Sequence, residues 1–122
     1  MLITREYLQN HANSVFVYSD NSLRKGFGGG ASLRNEPNTY GFITKKYPSD
    51  EEKSFYKIDE YRKIFNAELS KLEMQIMKTP NCLWLISQLG SGFPNKYNIW
   101  EEVVKKELLK LPDRHNNVRL LF

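Results

Sequence analysis

The stretch Val15-Phe16-Val17-Tyr18-Ser19-Asp20-Asn21-Ser22-Leu23-Arg24-Lys25-Gly26-Phe27-Gly28-Gly29-Gly30-Ala31 runs from an apolar segment through a polar turn into four glycines. Residues 14–18 are β-branched and aromatic, the composition of a strand. Ser19 to Ser22 are turn residues that break it, and residues 31–35 read as a short helix stopped by Pro37. Glycine admits positive φ and lets a backbone approach a ligand with no Cβ in the way. At the carboxyl end of a strand, such a loop running into a helix presents N–H groups to an anion. The other glycines are Gly41 and the pair Gly90 and Gly92, which follows the apolar Leu83-Trp84-Leu85-Ile86. Two glycine loops in one small domain predict a cleft for a phosphorylated ligand.

Outward from this segment, residues 1–13 give only a weak pattern, a short helix or irregular chain. Tyr40-Gly41-Phe42-Ile43-Thr44 reads as a second strand, and residues 45–57 as a polar loop. Ile58, Tyr61, Phe65, Leu69, Leu72 and Ile76 step by three or four residues and share one helical face. That stripe, with Met74 and Met77 beside it, reads as core packing, and the helix ends at Lys78-Thr79-Pro80-Asn81. Residues 82–88 form a third strand, apolar on both faces and therefore central. Asn98 is placed as the N-cap of a helix that runs to Leu111 before Pro112, and residues 118–122 read as a last strand. The alternation implies one domain over residues 1–122, an α/β three-layer sandwich with a mostly parallel central sheet. Open sheets of this kind bind ligands outside the carboxyl ends of their strands.

With 122 residues, 40% of them hydrophobic and 26% charged, the chain has the composition of one globular domain with a core. No apolar run has the length of a membrane span, and the first residues do not read as a signal peptide. One cysteine, Cys82, allows no internal disulfide and fits a reducing, cytoplasmic setting. The net charge of +4 is spread in pairs, Arg24-Lys25, Lys45-Lys46 and Lys105-Lys106, between acidic stretches. A nucleic-acid surface is thus a weaker reading than a small anionic ligand. His11 and His115 stand apart, so neither a metal site nor a cofactor is expected.

Gly26-Phe27-Gly28-Gly29-Gly30-Ala31 matches a dinucleotide fingerprint formally, but no acid lies at the distance that would hold a ribose. It is not a P-loop, because no Gly-Lys-Ser/Thr follows. Its plain reading is a flexible turn; three consecutive glycines, costly in backbone entropy, favour a ligand-facing role. Leu89-Gly90-Ser91-Gly92-Phe93 reads as a phosphate-cradling loop or a tight strand-to-helix turn. Thr44-Lys45-Lys46 closes the second strand. A lysine there either starts the polar loop, neutralises phosphate, or acts as an amine nucleophile if its pKa is lowered. Asp20 and Asn21 either hold ribose hydroxyls or a water, or form an Asx turn. Trp84 and Trp100 read as core, while Tyr40, Phe93, Tyr97 and Trp100 are the aromatics available to cover a base.

Together these segments resemble a minimal macrodomain, the ADP-ribose-binding α/β fold. The run from Asp20 to Ala31 is similar to that family's strand–Asn–loop–Gly-Gly-Gly–helix segment, which wraps the distal ribose. The resemblance thus implies Asn21, Arg24, Gly28, Gly29 and Gly30 as ligand-binding residues. Leu89-Gly90-Ser91-Gly92-Phe93 is similar to the family's diphosphate-binding loop, which adds Gly90, Ser91, Gly92 and Phe93. Within the family the chain looks most like the terminal ADP-ribose protein glycohydrolase branch. There, an Ile-Thr-Lys-Lys strand end precedes a long helix, an Ile-Gly-Cys-Gly loop and a Trp-Glu. Ile43-Thr44-Lys45-Lys46, the helix over 58–78, Leu89-Gly90-Ser91-Gly92 and Trp100-Glu101 follow in that order. The chain also looks like short uncharacterised proteins of phages and bacteria. The resemblance spans residues 14–104.

That branch implies that Lys45, beside Thr44, attacks the ribose, assisted by an aspartate after the second glycine loop. Here the matching stretch reads Phe93-Pro94-Asn95, and the acid that holds adenine in macrodomains has no counterpart. Asp20 is the candidate carboxylate from the other side of the cleft. The expectation is a protein that takes an ADP-ribose-type nucleotide or an ADP-ribosylated substrate, either hydrolysing the ribosyl linkage or sequestering a nucleotide signal. Sequestering would suit a phage protein in its host's cytoplasm. A nucleic-acid or protein-interaction domain with merely structural glycine loops is the third reading.

Overall fold

The computed structural model describes residues 2–122 and is a mixed α/β sandwich around an all-parallel four-stranded sheet. A short helix α1 (Arg5–Asn10) leads into β1 (Ser14–Asn21), and a 3-10 turn (Gly29–Leu33) precedes β2 (Thr39–Lys45). After a second 3-10 turn (Glu52–Ser54) comes the long helix α2 (Ile58–Lys78), then β3 (Leu83–Ile86). A π-helical turn (Trp100–Val104) runs into α3 (Lys105–Leu108), followed by α4 (Leu111–Arg114) and β4 (Val118–Leu120). No helix among the described residues is long and apolar enough to cross a membrane.

Strand alternation sorts the core into two layers. Val17, Phe42, Trp84 and Ile86 face α2, the π-helical turn, α3 and α4, packing on Tyr61, Phe65, Leu72, Ile76 and Val104. Leu85 faces the other way onto Ile3 and Leu8, with Phe16, Leu33 and Leu121 around it. The α2 stripe is therefore core, as its spacing implies. Met74 and Met77 are not: both lie exposed on the outer side of the helix. Trp84 and Trp100 are buried, which removes Trp100 as a platform for a base.

Several boundaries differ from the sequence reading for physical reasons. β1 continues through Ser19, Asp20 and Asn21, because β2 pairs with them as far as Asn21 opposite Lys45; turn propensity yields to a sheet partner. The short helix after the glycine loop is a 3-10 turn starting at Gly29 rather than a helix over 31–35. Pro112 opens α4 instead of ending the preceding helix, at a first-turn position where its missing N–H costs nothing. Asn98 is not the cap: it has a φ of 62°, while Asn95 Oδ1 accepts the Trp100 N–H at 2.9 Å.

The strand order is β2-β1-β3-β4. The chain leaves β1 toward β2 on one side, and leaves β3 toward β4 on the other. The connections after these neighbouring strands diverge, opening a crevice at their carboxyl ends.

β2 forms one edge of the sheet, and α2 covers it with two side chains. The Ile43 N–H donates to Glu68 Oε1 at 2.8 Å, and Tyr61 Oη donates to the Ile43 carbonyl at 2.7 Å. Glu68 is only 3% exposed, so its removal would strand a buried N–H. Glu68→Ala is expected to cost about 1–3 kcal/mol, read as a lower urea midpoint at unchanged slope.

Candidate functional site

The loops after β1, β2 and β3 meet over one cavity of ≈ 650 Å³, within the usual range of small-molecule sites. Asp20 and Asn21 line it from the end of β1 and Gly28, Gly29 and Gly30 from the loop beyond, Thr44 and Lys45 from the end of β2 and Asp50 from its loop, and Ser91 and Phe93 from the third loop.

A bulge in β2 is what allows two consecutive residues to face it. Asp20 pairs with Ile43 but Asn21 pairs with Lys45, leaving Thr44 as the extra residue. In regular pleating Thr44 and Lys45 would point to opposite faces. Thr44 Oγ1 donates to the Asp20 carbonyl at 3.3 Å, tying the ends of the two strands together.

Lys45 is 8% exposed. Its Nζ lies 4.3 Å from the Phe93 ring centroid and 5.0 Å from that of Phe55, and donates to the Ser49 carbonyl at 2.8 Å. Burial pushes its pKa below the ordinary 10.5, partly opposed by the charge of Asp50. The ammonium sits between two aromatic faces with one hydrogen-bond acceptor, contacts that favour the cation, while burial is what makes the amine give up its proton more readily.

Asp20 has a different surrounding. Arg34 Nη2 donates to its Oδ1 at 2.6 Å and Arg34 Nη1 to its Oδ2 at 2.9 Å, while the Asn21 N–H donates to Oδ1 at 2.8 Å. Arg24 Nη1 adds a longer contact at 3.3 Å. The hydrogen bonds to Asp20 hold the Arg34 pKa above its usual value. Arg34 also donates to the carbonyls of Gly26 at 2.9 Å and Lys25 at 3.2 Å. Asp20 and Arg34 therefore clamp the glycine loop to the sheet. A carboxylate so occupied has little capacity left for activating a water.

Gly41 makes room for this clamp. A Cβ there would stand 2.3 Å from Asp20 Oδ2. Asn21 forms the Asx turn: its Oδ1 accepts the Leu23 N–H at 3.1 Å and its Nδ2 donates to the Lys25 carbonyl at 2.8 Å. Arg24 lies outside the cavity lining, half-exposed, with a second bond to the Gly41 carbonyl at 3.0 Å.

Gly28, Gly29 and Gly30 open the 3-10 turn, so their N–H groups precede its first internal donor, and among the described residues none makes a hydrogen bond. Gly29 has a φ of 54°, which a side chain would strain. In the second loop the roles are divided. The Gly90 N–H donates to Ser19 Oγ at 3.0 Å, which removes it from the expected phosphate donors; Gly90 locks the loop to β1. The Ser91 N–H and hydroxyl are both committed to the Gln88 carbonyl. The Gly92 and Phe93 N–H groups carry no bond among the described residues, although Gly92 itself lies outside the lining.

Of the base-covering candidates, Phe93 stands at the cavity, 60% exposed. Tyr40 packs edge-on against Trp84 in the core, and Tyr97 donates to Glu52, joining the third loop to the second. Sequence reasoning missed Arg34, which carries no signal beyond a positive charge after the glycine loop, and Asp50, set in a Pro-Ser-Asp turn read only as a loop.

No curated protein and no solved structure matches the chain. Residues 1–95 match the profile of a family of unknown function, DUF7831. That span includes both glycine loops, Lys45 and the Asp20–Arg34 clamp, and the chain belongs to this family.

Proposed function

We propose that the protein binds an ADP-ribose-type nucleotide in this cleft, and that Lys45 acts as the amine nucleophile on its ribosyl carbon. The observation that carries the reading is the convergence of both glycine loops and Lys45 on one cavity at the switch point of the sheet. The free N–H groups of Gly28, Gly29 and Gly30, with that of Phe93 in the third loop, offer donors to phosphate oxygens. Lys25 and Lys45 add positive charge to the lining. The exposed Phe93 ring offers a face to a base or a sugar.

Capture without turnover is the second reading, and Asn95 favours it. Where the resembled hydrolases have an aspartate, its amide instead caps Trp100 and donates to both Glu101 carboxylate oxygens, at 3.0 and 2.9 Å. Calorimetric titration with ADP-ribose, followed by mass analysis of the ligand, tests the binding. Heat at micromolar strength, roughly −8 kcal/mol, is expected; no heat at millimolar ligand would defeat the proposal.

A further inference from the structure

We propose that Tyr97 is a positioning residue of the cleft: its bond to Glu52 latches the third loop onto the second, so that Phe93 stays seated over Lys45. Lys45 is 8% exposed, yet the Phe93 ring that covers its Nζ at 4.3 Å is itself 60% exposed. A ring left that open gains little from burial, which scales with the apolar area removed from water. One cation–π contact is also too weak to order a loop alone. Something further holds Phe93 in place.

Backbone bonding does not hold it. Residues 91–98 are closed on themselves: the Asn95 N–H donates to the Gly92 carbonyl at 3.0 Å, and the Asn98 N–H to the Asn95 carbonyl at 3.3 Å. Among the described residues, no backbone bond joins this segment to residues 46–57. Gly90 ties its start to Ser19, and Asn95 ties its second half to Trp100 and Glu101. Gly92 and Asn98 have φ of 68° and 62°, and a Cβ on Gly92 would meet nothing within 4 Å.

Side chains make the crossing to the second loop. Tyr97 Oη donates to Glu52 Oε1 at 2.5 Å, and Lys57 Nζ stands 6.0 Å from the Tyr97 ring centroid. Lys96 Nζ lies 5.3 Å from the Phe55 centroid, and the Phe93 and Phe55 rings tilt against each other at 5.8 Å. Of these ties, the phenol–carboxylate bond is the charge-assisted hydrogen bond, and the most directional. It holds Glu52 below the ordinary carboxylate range and Tyr97 above the usual phenol value. The second loop is the firm side. The Lys46 N–H donates to the Ser54 carbonyl at 2.8 Å, Lys45 bridges to Phe55, and Glu52 opens the 3-10 turn between them.

Without the latch the third loop lifts and water reaches the ammonium, relieving the desolvation that lowers the Lys45 pKa. Asp50 stays behind on the second loop with its opposing charge, while Lys96 departs with the third. Phe93 also leaves the cavity wall. The effect on Lys45 stands by itself, whereas any effect on ADP-ribose rests on the binding reading above.

The test uses the full chain, with Lys45 titrated by NMR on lysine labelled at the ε carbon, and calorimetry with ADP-ribose. Tyr97→Phe keeps the ring and removes the hydroxyl. It is expected to move the Lys45 pKa up toward 10.5, and to weaken ADP-ribose binding about threefold to tenfold. Glu52→Ala should do the same, and Glu52→Gln, which retains an acceptor for the phenol, should recover most of both. Phe93→Ala gives the full effect of losing the ring. Adding Tyr97→Phe to it should change nothing further, because Tyr97 acts through Phe93. A wild-type Lys45 pKa and affinity in Tyr97→Phe overturn the assignment, as does an effect that persists undiminished in the Phe93→Ala background. If wild type binds no ADP-ribose, the nucleotide reading fails, and the Lys45 titration still decides on the latch.

Discussion

Lys45→Ala is expected to abolish release of ADP-ribose from an ADP-ribosylated substrate while leaving the protein folded. The two halves of this prediction have separate grounds. Turnover goes because the proposed nucleophile is removed; loss of a nucleophile leaves what positioning alone can do. Folding survives because the ammonium is held at a net desolvation penalty, as its lowered pKa shows. The sign of the pH dependence follows. The folded-state value lies below 10.5, so across that interval the unfolded chain binds more protons than the folded one. Wild-type stability should thus rise with pH through that window relative to Lys45→Ala, a difference visible in paired urea titrations. Lys45→Arg separates nucleophile from charge. It keeps the cation but offers no neutral amine, so it should be inactive; an active Lys45→Arg protein would make Lys45 a charge anchor.

Asp20→Ala is expected to produce the largest loss of stability of any single change in the site, about 3–5 kcal/mol. The Asp20 side chain is 1% exposed and that of Arg34, partly buried over it, 14%. Removing one partner leaves the guanidinium without its charge complement against two loop carbonyls. Since a domain of this size is stable by only about 5–15 kcal/mol, such a loss consumes much of the total. Gly41→Ala approaches the same cluster from β2. Its Cβ would overlap Asp20 Oδ2, and the bidentate bond to Arg34 prevents the carboxylate from swinging aside. That substitution should cost about 1–3 kcal/mol. Thermal unfolding of both variants beside wild type checks the order; an Asp20→Ala protein as stable as wild type would remove the clamp from the account.

Much of the architecture is legible in the chain because it rests on periodicity. The steps from Ile58 to Ile76 and the apolar runs at 15–18 and 83–86 determine one long helix and two strands, and the two glycine loops follow the carboxyl ends of those strands. The bulge that turns Lys45 into the cavity is not legible, since it depends on the register between two strands distant in sequence. Nor is the fate of Asp20. An acid after a strand looks available until a guanidinium from fourteen residues on is seen to hold it. Asn95 is the converse: its capping partner is local, but Asn98 offers the same chemistry three residues later, and only backbone conformation decides between them. Asp50 was hidden by lying in a loop, where the sequence pattern says nothing about which way the chain folds back.

The central claim is that the three loops form one nucleotide cleft, and amide-resolved NMR titration with ADP-ribose tests it most directly. Shifts concentrated at Gly28, Gly29, Gly30, Lys45, Ser91 and Phe93, saturating together at micromolar ligand, are what the account predicts. No shifts at millimolar ligand, or shifts centred away from the carboxyl ends of β1, β2 and β3, would contradict it.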